Sequence, residues 1–189
     1  MFKDKGSKFL AFAYPAESEI EIKPKLEALR KRYFEARHHC FAYILGPDGQ
    51  KYRAFDDGEP NHSAGDPILG QIRSRSLTNV LVVGVRYFGG TKLGISGLIN
   101  AYRTAAADVL EKAGTIEKSV TRCITLTYDY ASTPEIMKII RDFDLQIEKQ
   151  SFEVRCALQA RYDLQHAASL KERLDLLAAL GHVLDVQSD

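Results

Sequence analysis

Two patterns of apolar residues, one typical of helices and one typical of strands, alternate along the first part of the chain. In residues 19–36, apolar side chains from Ile22 to Phe34 recur at intervals of three and four, the spacing of an amphipathic helix. The neighbouring apolar runs have the length of strands, and the Asp48-Gly49 pair between two of them predicts a hairpin turn. The pattern predicts strands at residues 8–15, 38–46, 50–55 and 79–88, and helices at residues 19–36, 67–76 and 93–113.

The run at residues 79–88 is almost continuously apolar, as expected for a strand that is covered on both faces. By contrast, residues 56–67, DDGEPNHSAGDP, contain two glycines, two prolines and four acidic residues. This composition predicts an irregular loop. Pro67 then suits the first turn of a helix, a position that proline prefers.

The order of predicted helices and strands changes after residue 118. The predicted elements are a strand at residues 123–130, a helix from Thr133, two adjacent strands within residues 145–162, a helix at residues 168–180 and a strand at residues 182–187. The order βαββαβ is the split-βαβ, ferredoxin-like pattern. We therefore expect a mixed α+β protein with two domains, residues 1–117 and 118–189.

Composition places the chain among ordinary globular proteins, with 45% apolar and 27% charged residues. No stretch approaches ~18 uncharged apolar residues. The first residues also lack a secretory cleavage pattern, so we expect a cytoplasmic protein with no membrane association. Cys40, Cys123 and Cys156 are widely separated, which fits reduced thiols rather than disulfides. Because the net charge is only +1, any nucleic-acid footprint must be local.

The stretch VRYFGGTKLGISGLINAY matches no nucleotide-binding loop. Gly89 and Gly94 have the separation found in a P-loop, but Ile95 stands where that motif needs its lysine. The adjacent glycine pair also breaks the spacing of the dinucleotide fingerprint. The sequence therefore argues against a nucleotide-hydrolysing loop.

What this stretch does contain is a strand, a glycine pair, Thr91, Lys92 and the start of a helix. The unpaired N–H groups of a helix start favour an anion, and Arg86 and Lys92 would add positive charge. The alternative is that Gly89 and Gly90 only permit a tight turn with positive φ.

The irregular loop is the second candidate. Its candidate groups are Asp56, Asp57, Glu59, His62 and Asp66. They could bind a divalent cation or carry out acid–base chemistry, because crowded carboxylates shift each other's pKa. The spacing does not match the calcium-loop motif. The alternative is a solvated turn whose aspartates cap nearby backbone N–H groups.

Two further groups of residues have ordinary explanations. On the predicted strand, His38 and Cys40 share one face while His39 points away, which leaves too few ligands for zinc. Cys40 is then a small buried apolar residue. Tyr87 and Tyr102 could stack on bases, although amphipathic residues at an edge explain them equally well.

DDGEPNHSAGDPIL followed by LTNVLVVGVRYFGGTKLGISGLINAY resembles the signature of the YigZ/IMPACT family. KGSKFLAFAYP and ARHHCFAY also fit its amino-terminal domain, and the chain from Val120 onward fits the smaller second domain of bacterial members by pattern. The family loop usually reads close to DDGEPSGTAGKPIL. Here Asn61-His62-Ser63 replaces Ser-Gly-Thr and Asp66 replaces lysine, which removes a glycine and a positive charge from the loop.

The resemblance implies that the first domain is similar to domain IV of elongation factor G, in the ribosomal-protein S5 domain 2-like class. It implies that the second is similar to the ferredoxin-like domain V of that factor. It also implies a connection to translation. The eukaryotic relatives regulate the stress kinase that senses uncharged tRNA, with the help of an additional domain.

These features lead to one main hypothesis, a non-enzymatic protein that binds RNA or the ribosome through residues 56–66 and 86–92. Arg86 and Lys92 would pair with phosphate, the tyrosines would stack or orient, and the glycines would let a backbone approach closely. The predicted ligand-binding residues are Asp56, Asp57, Glu59, His62, Arg86, Tyr87, Gly89, Gly90, Thr91, Lys92 and Tyr102. We expect no catalytic residue, metal or cofactor.

Two alternatives use the same loops. The first is an enzyme acting on a phosphorylated or peptide-like small molecule, with His62 or Asp57 as general base and Lys92 stabilising negative charge. The second is a protein-interaction module, which the near-neutral net charge favours over nonspecific RNA binding. Geometry helps to distinguish them, because an enzyme needs its groups to converge in a concave pocket.

Overall fold

The computed structural model describes residues 1–188 and divides into two compact units, Met1–Thr115 and a second that begins at Ile116. Within these residues it contains two antiparallel sheets and five α-helices, which confirms the mixed α+β class. Each unit has buried clusters of its own. In the described part of the chain, no helix combines the length and apolar character that crossing a membrane requires.

The first unit is a five-stranded sheet with helices on both faces. Its elements are β1 (Phe2–Asp4), β2 (Ser7–Pro15), α1 (Glu19–Arg32), β3 (His38–Leu45), β4 (Lys51–Phe55), α2 (Gly65–Arg73), β5 (Val80–Tyr87) and α3 (Gly94–Ala113). The strands lie in the order β1-β2-β5-β3-β4, with every neighbouring pair antiparallel.

The central strands β3 and β5 are buried on both faces, which explains why their sequences are almost entirely apolar. Helices α2 and α3 cover one face, where Phe9, Ile68 and Tyr102 belong to one buried cluster. Helix α1 covers the other face and buries Ile22 and Leu29. The loops that follow β4 and β5 therefore begin at the end of a sheet that helices cover on both faces.

The structure shifts some of the predicted boundaries. Helix α1 ends at Arg32 rather than at residue 36, after a last turn of basic residues that suits a helix C-terminus. Residues 65 and 66, expected in the irregular loop, belong to α2, which ends at Arg73 rather than at residue 76. Strand β1 was not predicted, and it pairs Phe2 with Phe9 of β2.

The second unit is a four-stranded sheet whose elements follow the predicted order βαββαβ. They are β6 (Thr121–Tyr128), α4 (Thr133–Asp142), β7 (Gln146–Phe152), β8 (Cys156–Asp163), α5 (Ala167–Ala179) and β9 (Leu184–Ser188). The strands lie in the order β7-β8-β6-β9 and are antiparallel. Helices α4 and α5 bury Ile136 and Leu170 in one cluster with Leu126 and Leu158.

Candidate functional site

Residues 56–64 form a loop, called here the acidic loop, that connects β4 to α2. One carboxylate oxygen of Asp56 accepts hydrogen bonds from the N–H groups of Ala64 and Gly65, at 2.9 and 2.8 Å. The other oxygen accepts one from the N–H of His62, at 2.9 Å. A carboxylate in this position caps the start of α2 and complements its dipole. Asp56 therefore has the capping role that was the alternative to a cation site.

Asp57 ties the same loop to β3. Its backbone has φ of 45°, and its carboxylate accepts a hydrogen bond from the N–H of His39 at 2.7 Å and another from Arg30 at 3.2 Å. Its carbonyl oxygen lies 2.9 Å from Nδ1 of His38. Because a carbonyl only accepts, Nδ1 of His38 carries the proton, and Nε2 is an acceptor in the neutral ring.

Glu59 is the third acidic residue of the loop, and it is buried against β5 and α3. Both of its carboxylate oxygens accept hydrogen bonds from Nη1 of Arg86, at 2.8 and 3.0 Å. The hydroxyl of Tyr102 donates to the same carboxylate at 2.9 Å. Glu59 is 7% exposed, Arg86 5% and Tyr102 1%. The three side chains thus form a buried polar cluster that links the acidic loop to the strand before the glycine turn.

The ring of Tyr102 depends on a glycine in the sheet. A Cβ at Gly84 would lie 2.8 Å from a ring carbon of Tyr102, so the absence of a side chain makes room for the ring. Phe9 packs against the ring edge-on, with centroids 5.1 Å apart. Burial raises the pKa of Tyr102 and of Cys40, whose thiol donates to the Tyr102 oxygen at 3.3 Å. Cys40 is therefore an unreactive buried thiol.

These contacts correct two expected roles. Tyr102 was expected to stack on a base or to orient its neighbours, and its enclosed ring leaves only the orienting role, through its hydrogen bond to Glu59. Arg86 was expected to offer a free charge to phosphate, but Glu59 compensates that charge. Both side chains are almost fully buried, so neither is freely exposed to a polymer.

The glycine turn, residues 88–93, follows β5 and packs against the start of β2. A Cβ at Gly89 would lie 1.9 Å from the carbonyl carbon of Gly6 and 2.1 Å from the nitrogen of Ser7. The Gly89 N–H donates to the Ser7 hydroxyl at 3.2 Å. Gly90 has φ of +87°. Gly89 therefore serves close backbone packing, and Gly90 serves the turn itself.

The acidic loop and the glycine turn meet at an open cavity of about 490 Å³, called here the α3 cavity. Its lining residues are Arg37, His38, Glu59, Pro60, Arg86, Phe88, Lys92, Leu93, Gly94, Ile95 and Leu98. Lys92 and Arg37 are exposed, and α3 begins at Gly94, which also lines the cavity. The exposed charge of the cavity is therefore positive, although the loop that borders it is rich in acidic residues.

The structure brings some of the predicted residues to the α3 cavity and places others elsewhere. Glu59, Arg86 and Lys92 line it, whereas the turn residues Gly89, Gly90 and Thr91 are exposed beside it. Asp56 and Asp57 bind the backbone behind it. His62 is exposed and pairs with Asp66 at 2.6 Å, and Tyr87 is half-buried at the end of β5.

The general-base roles considered for Asp57 and His62 are not supported by this geometry. Among the described residues, neither is part of the cavity lining. Asp57 already accepts hydrogen bonds from His39 and Arg30, and His62 is held by Asp66. Within residues 1–188, the loop also assembles no cluster of His, Cys, Asp or Glu suited to a metal ion.

Arg37, His38 and Phe88 also line this cavity, and none of them was among the predicted ligand-binding residues. Phe88 is 43% exposed, and the guanidinium of Arg37 lies 6.0 Å from the centre of its ring. One signal was available, because Phe88 is an aromatic residue immediately after a buried strand and before a glycine pair. Arg37 gave no such signal, since it is one basic residue among many.

The chain is similar to several known proteins. The Impact N-terminal domain matches residues 5–110. A Bacillus subtilis protein, IMPACT family member YvyE, is 33% identical over 136 residues, which are 72% of this chain and 63% of that protein. IMPACT family member YigZ of Escherichia coli is 30% identical over 89% of this chain and 85% of its own length.

A solved structure is also similar, titled "Crystal structure of an hypothetical protein". It superimposes with a TM-score of 0.69 at 27% sequence identity, covering 97% of this chain and 90% of that one. The similarity in fold therefore includes both units.

Proposed function

Because this chain belongs to the IMPACT family, we propose that it is a translation-associated protein that binds RNA, on the ribosome or free, through its α3 cavity. One observation carries the proposal. The acidic residues of the loop accept hydrogen bonds from groups within the protein. The exposed charges at the cavity are therefore those of Lys92 and Arg37. A positive rim with an exposed aromatic ring is the combination that single-stranded RNA requires.

The roles of individual residues follow from their exposure. Lys92 and Arg37 pair with phosphate oxygens, and the ring of Phe88 provides the stacking surface that Tyr102 cannot provide. Gly89, Gly90 and Thr91 let the backbone of the glycine turn approach the RNA. Glu59 and Tyr102 hold Arg86 in the cavity wall, and Asp56 and Asp57 fix the loop. His62 and Tyr87 contribute at the edge of the same surface.

The proposal extends to the two domains. We assign residues 1–117 to a ribosomal-protein S5 domain 2-like fold similar to domain IV of elongation factor G, and residues 118–189 to a ferredoxin-like fold similar to its domain V. The βαββαβ order and the strand order β7-β8-β6-β9 support the second assignment. Because a fold does not by itself identify a ligand, the case for RNA rests on the residues of the α3 cavity.

Salt dependence tests the RNA proposal. Binding of a labelled single-stranded RNA is measured at several salt concentrations for the wild type and for Arg37→Ala/Lys92→Ala. Loss of two phosphate contacts should reduce the slope of log K against log salt by about 1.4, since each contact contributes about 0.7 for single strands. The matched control is Lys23→Ala/Lys31→Ala, which removes two exposed charges from α1 on the other face of the sheet.

An unchanged slope in the cavity variant, or an equal change in the α1 variant, rejects the proposal. Absence of any RNA binding by the wild type at low salt rejects it as well.

The enzyme alternative retains one supporting observation. The α3 cavity is concave, and the hydrogen bond from Nδ1 of His38 to Asp57 leaves Nε2 as an acceptor. Hydrolysis of a phosphate monoester by the wild type, lost in His38→Gln, would support this function in place of simple binding.

A further inference from the structure

We propose that the α3 cavity holds one nucleotide, with its phosphate at the start of α3 and its base against Phe88. This inference rests on the proposed function and names the part of the RNA that the cavity recognises. A cavity of about 490 Å³ lies within the range of sites for small organic ligands, about 300–1,000 Å³.

The start of α3 supplies donors for the phosphate. The helix begins at Gly94 after Leu93, and within residues 1–188 no side chain caps it. The N–H groups of a first helical turn have no partner inside the helix, and they point out of its end together with the positive end of the dipole. The first turn of α3 contains no acidic residue. Gly94 and Ile95, the first two residues of α3, line the cavity, so the start of the helix borders it.

Arg86 provides a second and independent indication of a ligand. Its Nη1 binds Glu59, and its Nη2 lies 3.3 Å from the hydroxyl of Ser7. Its Nε is buried and has no hydrogen-bond partner among the described residues, although the side chain is 5% exposed and lines the cavity. A buried donor without an acceptor is unfavourable, so a shift of the Arg86 side chain that exposes Nε to the cavity would let an oxygen of the ligand accept its hydrogen bond.

The charges around the cavity favour an anion with two negative charges. Glu59 also faces the cavity, but its carboxylate already accepts hydrogen bonds from Arg86 and Tyr102. Among residues 1–188, no ion pair then neutralises the positive charges of Lys92 and Arg37 at the rim. A phosphate monoester, as found at the 5′ end of an RNA strand or on a free nucleotide, matches this balance with about 1.5 to 2 negative charges at neutral pH.

The rest of the cavity is apolar and suits a flat ring. Leu93, Ile95 and Leu98 line it beside Phe88. The guanidinium groups of Arg37 and Arg86 lie 6.0 and 5.5 Å from the centre of the Phe88 ring. An aromatic ring with an adjacent guanidinium binds a nucleobase by stacking. A bare phosphate ion would leave this wall uncovered, which is why the cavity fits a nucleotide better than inorganic phosphate.

Calorimetric titration of the full chain with adenosine monophosphate, adenosine and inorganic phosphate tests the inference. The nucleotide should bind at least tenfold more tightly than either part, because the phosphate and the base use different walls of the cavity. Phe88→Leu should weaken binding of the nucleotide and leave binding of inorganic phosphate unchanged.

A sharper variant is Ser96→Asp, which places a carboxylate in the first turn of α3. A like charge near the phosphate should weaken nucleotide binding by more than about tenfold, from Coulomb repulsion at an effective dielectric constant near 20. An acidic residue in a first helical turn favours the helix, so loss of folding is not expected. Ser169→Asp is the matched control, since Ser169 is also exposed and also the third residue of its helix, α5.

The possible outcomes distinguish the nucleotide site from the proposed RNA binding. Nucleotide binding that Ser96→Asp abolishes and Ser169→Asp leaves intact supports the site. Equal affinity for adenosine and its monophosphate, or equal affinity of Ser96→Asp and the wild type, overturns it. If RNA binds with the expected salt slope and the nucleotide does not bind, this inference fails and the proposed function stands. If neither RNA nor nucleotide binds, both fail.

Discussion

Glu59 of the acidic loop and Arg86 of β5 form a buried ion pair, in which both carboxylate oxygens lie within 3.0 Å of one guanidinium nitrogen. The pair joins two segments that each look like a separate functional motif in the sequence. It places the acidic loop beside the glycine turn and neutralises one negative and one positive charge in the wall of the α3 cavity. The stability of the loop and the electrostatics of the cavity therefore depend on the same contact.

Glu59→Gln should destabilise the first unit strongly. The substitution keeps an acceptor for Tyr102 but leaves the guanidinium of Arg86 buried without a counter-charge, and breaking a buried pair in this way costs about 3–5 kcal/mol. Urea unfolding followed by circular dichroism measures the change. The double variant Glu59→Leu/Arg86→Met removes both charges and should be closer to the wild type than Glu59→Gln. A Glu59→Gln protein as stable as the wild type would show that the pair is not buried in solution.

Gly89→Ala should be far more damaging than Gly90→Ala. A Cβ at Gly89 would lie 1.9 Å from backbone of Gly6, and backbone on both sides leaves little room to move. At Gly90 no heavy atom lies within 4 Å of a Cβ, so the substitution costs only the left-handed backbone, about 1–2 kcal/mol. Thermal denaturation of the two variants compares the effects. Equal losses would mean that the turn packs less closely against β2 than the structure indicates.

Asp56→Ala should destabilise the start of α2. The carboxylate accepts three backbone N–H groups, and loss of an N-terminal cap costs about 0.5–2 kcal/mol. The control is Asp66→Ala, which removes an exposed ion pair with His62 worth about 0–1 kcal/mol. Hydrogen exchange of the α2 amides locates the effect, and protection that falls equally in both variants would contradict it.

Stability should fall as pH decreases below about 6.5, the ordinary pKa of histidine, in part because of His39. Burial lowers the pKa of His39 in the folded protein, and the nearby charge of Asp57 only partly opposes this. Below pH 6.5 the unfolded chain therefore binds a proton that the folded protein does not, so acid favours unfolding. The loss continues until the pH reaches the lowered pKa.

His39→Phe should reduce this loss, whereas the control His62→Gln retains His39 and should keep it. Melting temperatures at several values between pH 5 and 8 provide the measurement. A His39→Phe protein with the acid sensitivity of the wild type would exclude His39 as the cause.

Much of the fold could be predicted from the sequence because it depends on local patterns. The continuous apolar run became β5, and the alternation after residue 118 became the βαββαβ unit. Strand β1 escaped prediction because only three residues form it and its pairing partner lies beyond a turn. The α2 boundary was missed because Asp56 caps the helix from nine residues before Gly65.

The residues that line the α3 cavity were predicted less completely than the fold. The sequence identified the acidic loop and the glycine turn as the chemically unusual segments, and Lys92 as an accessible charge. The sequence could not show that Glu59 neutralises the charge of Arg86 or that Tyr102 is enclosed. Arg86 and Tyr102 lie 27 and 43 positions from Glu59, and their contacts form only in the folded protein. Arg37 directly precedes β3 and Phe88 directly follows β5, so the pairing of these strands brings both residues to the cavity, a neighbourhood that no local pattern encodes.

The sequence by itself determined the family, the α+β class and the positions of most helices and strands, since each of these rests on periodicity or on a contiguous motif. Only the tertiary structure decided which charges remain exposed. Whether an acidic side chain repels a ligand or is neutralised within the protein depends on its burial and its partners. Both properties arise when distant segments pack together.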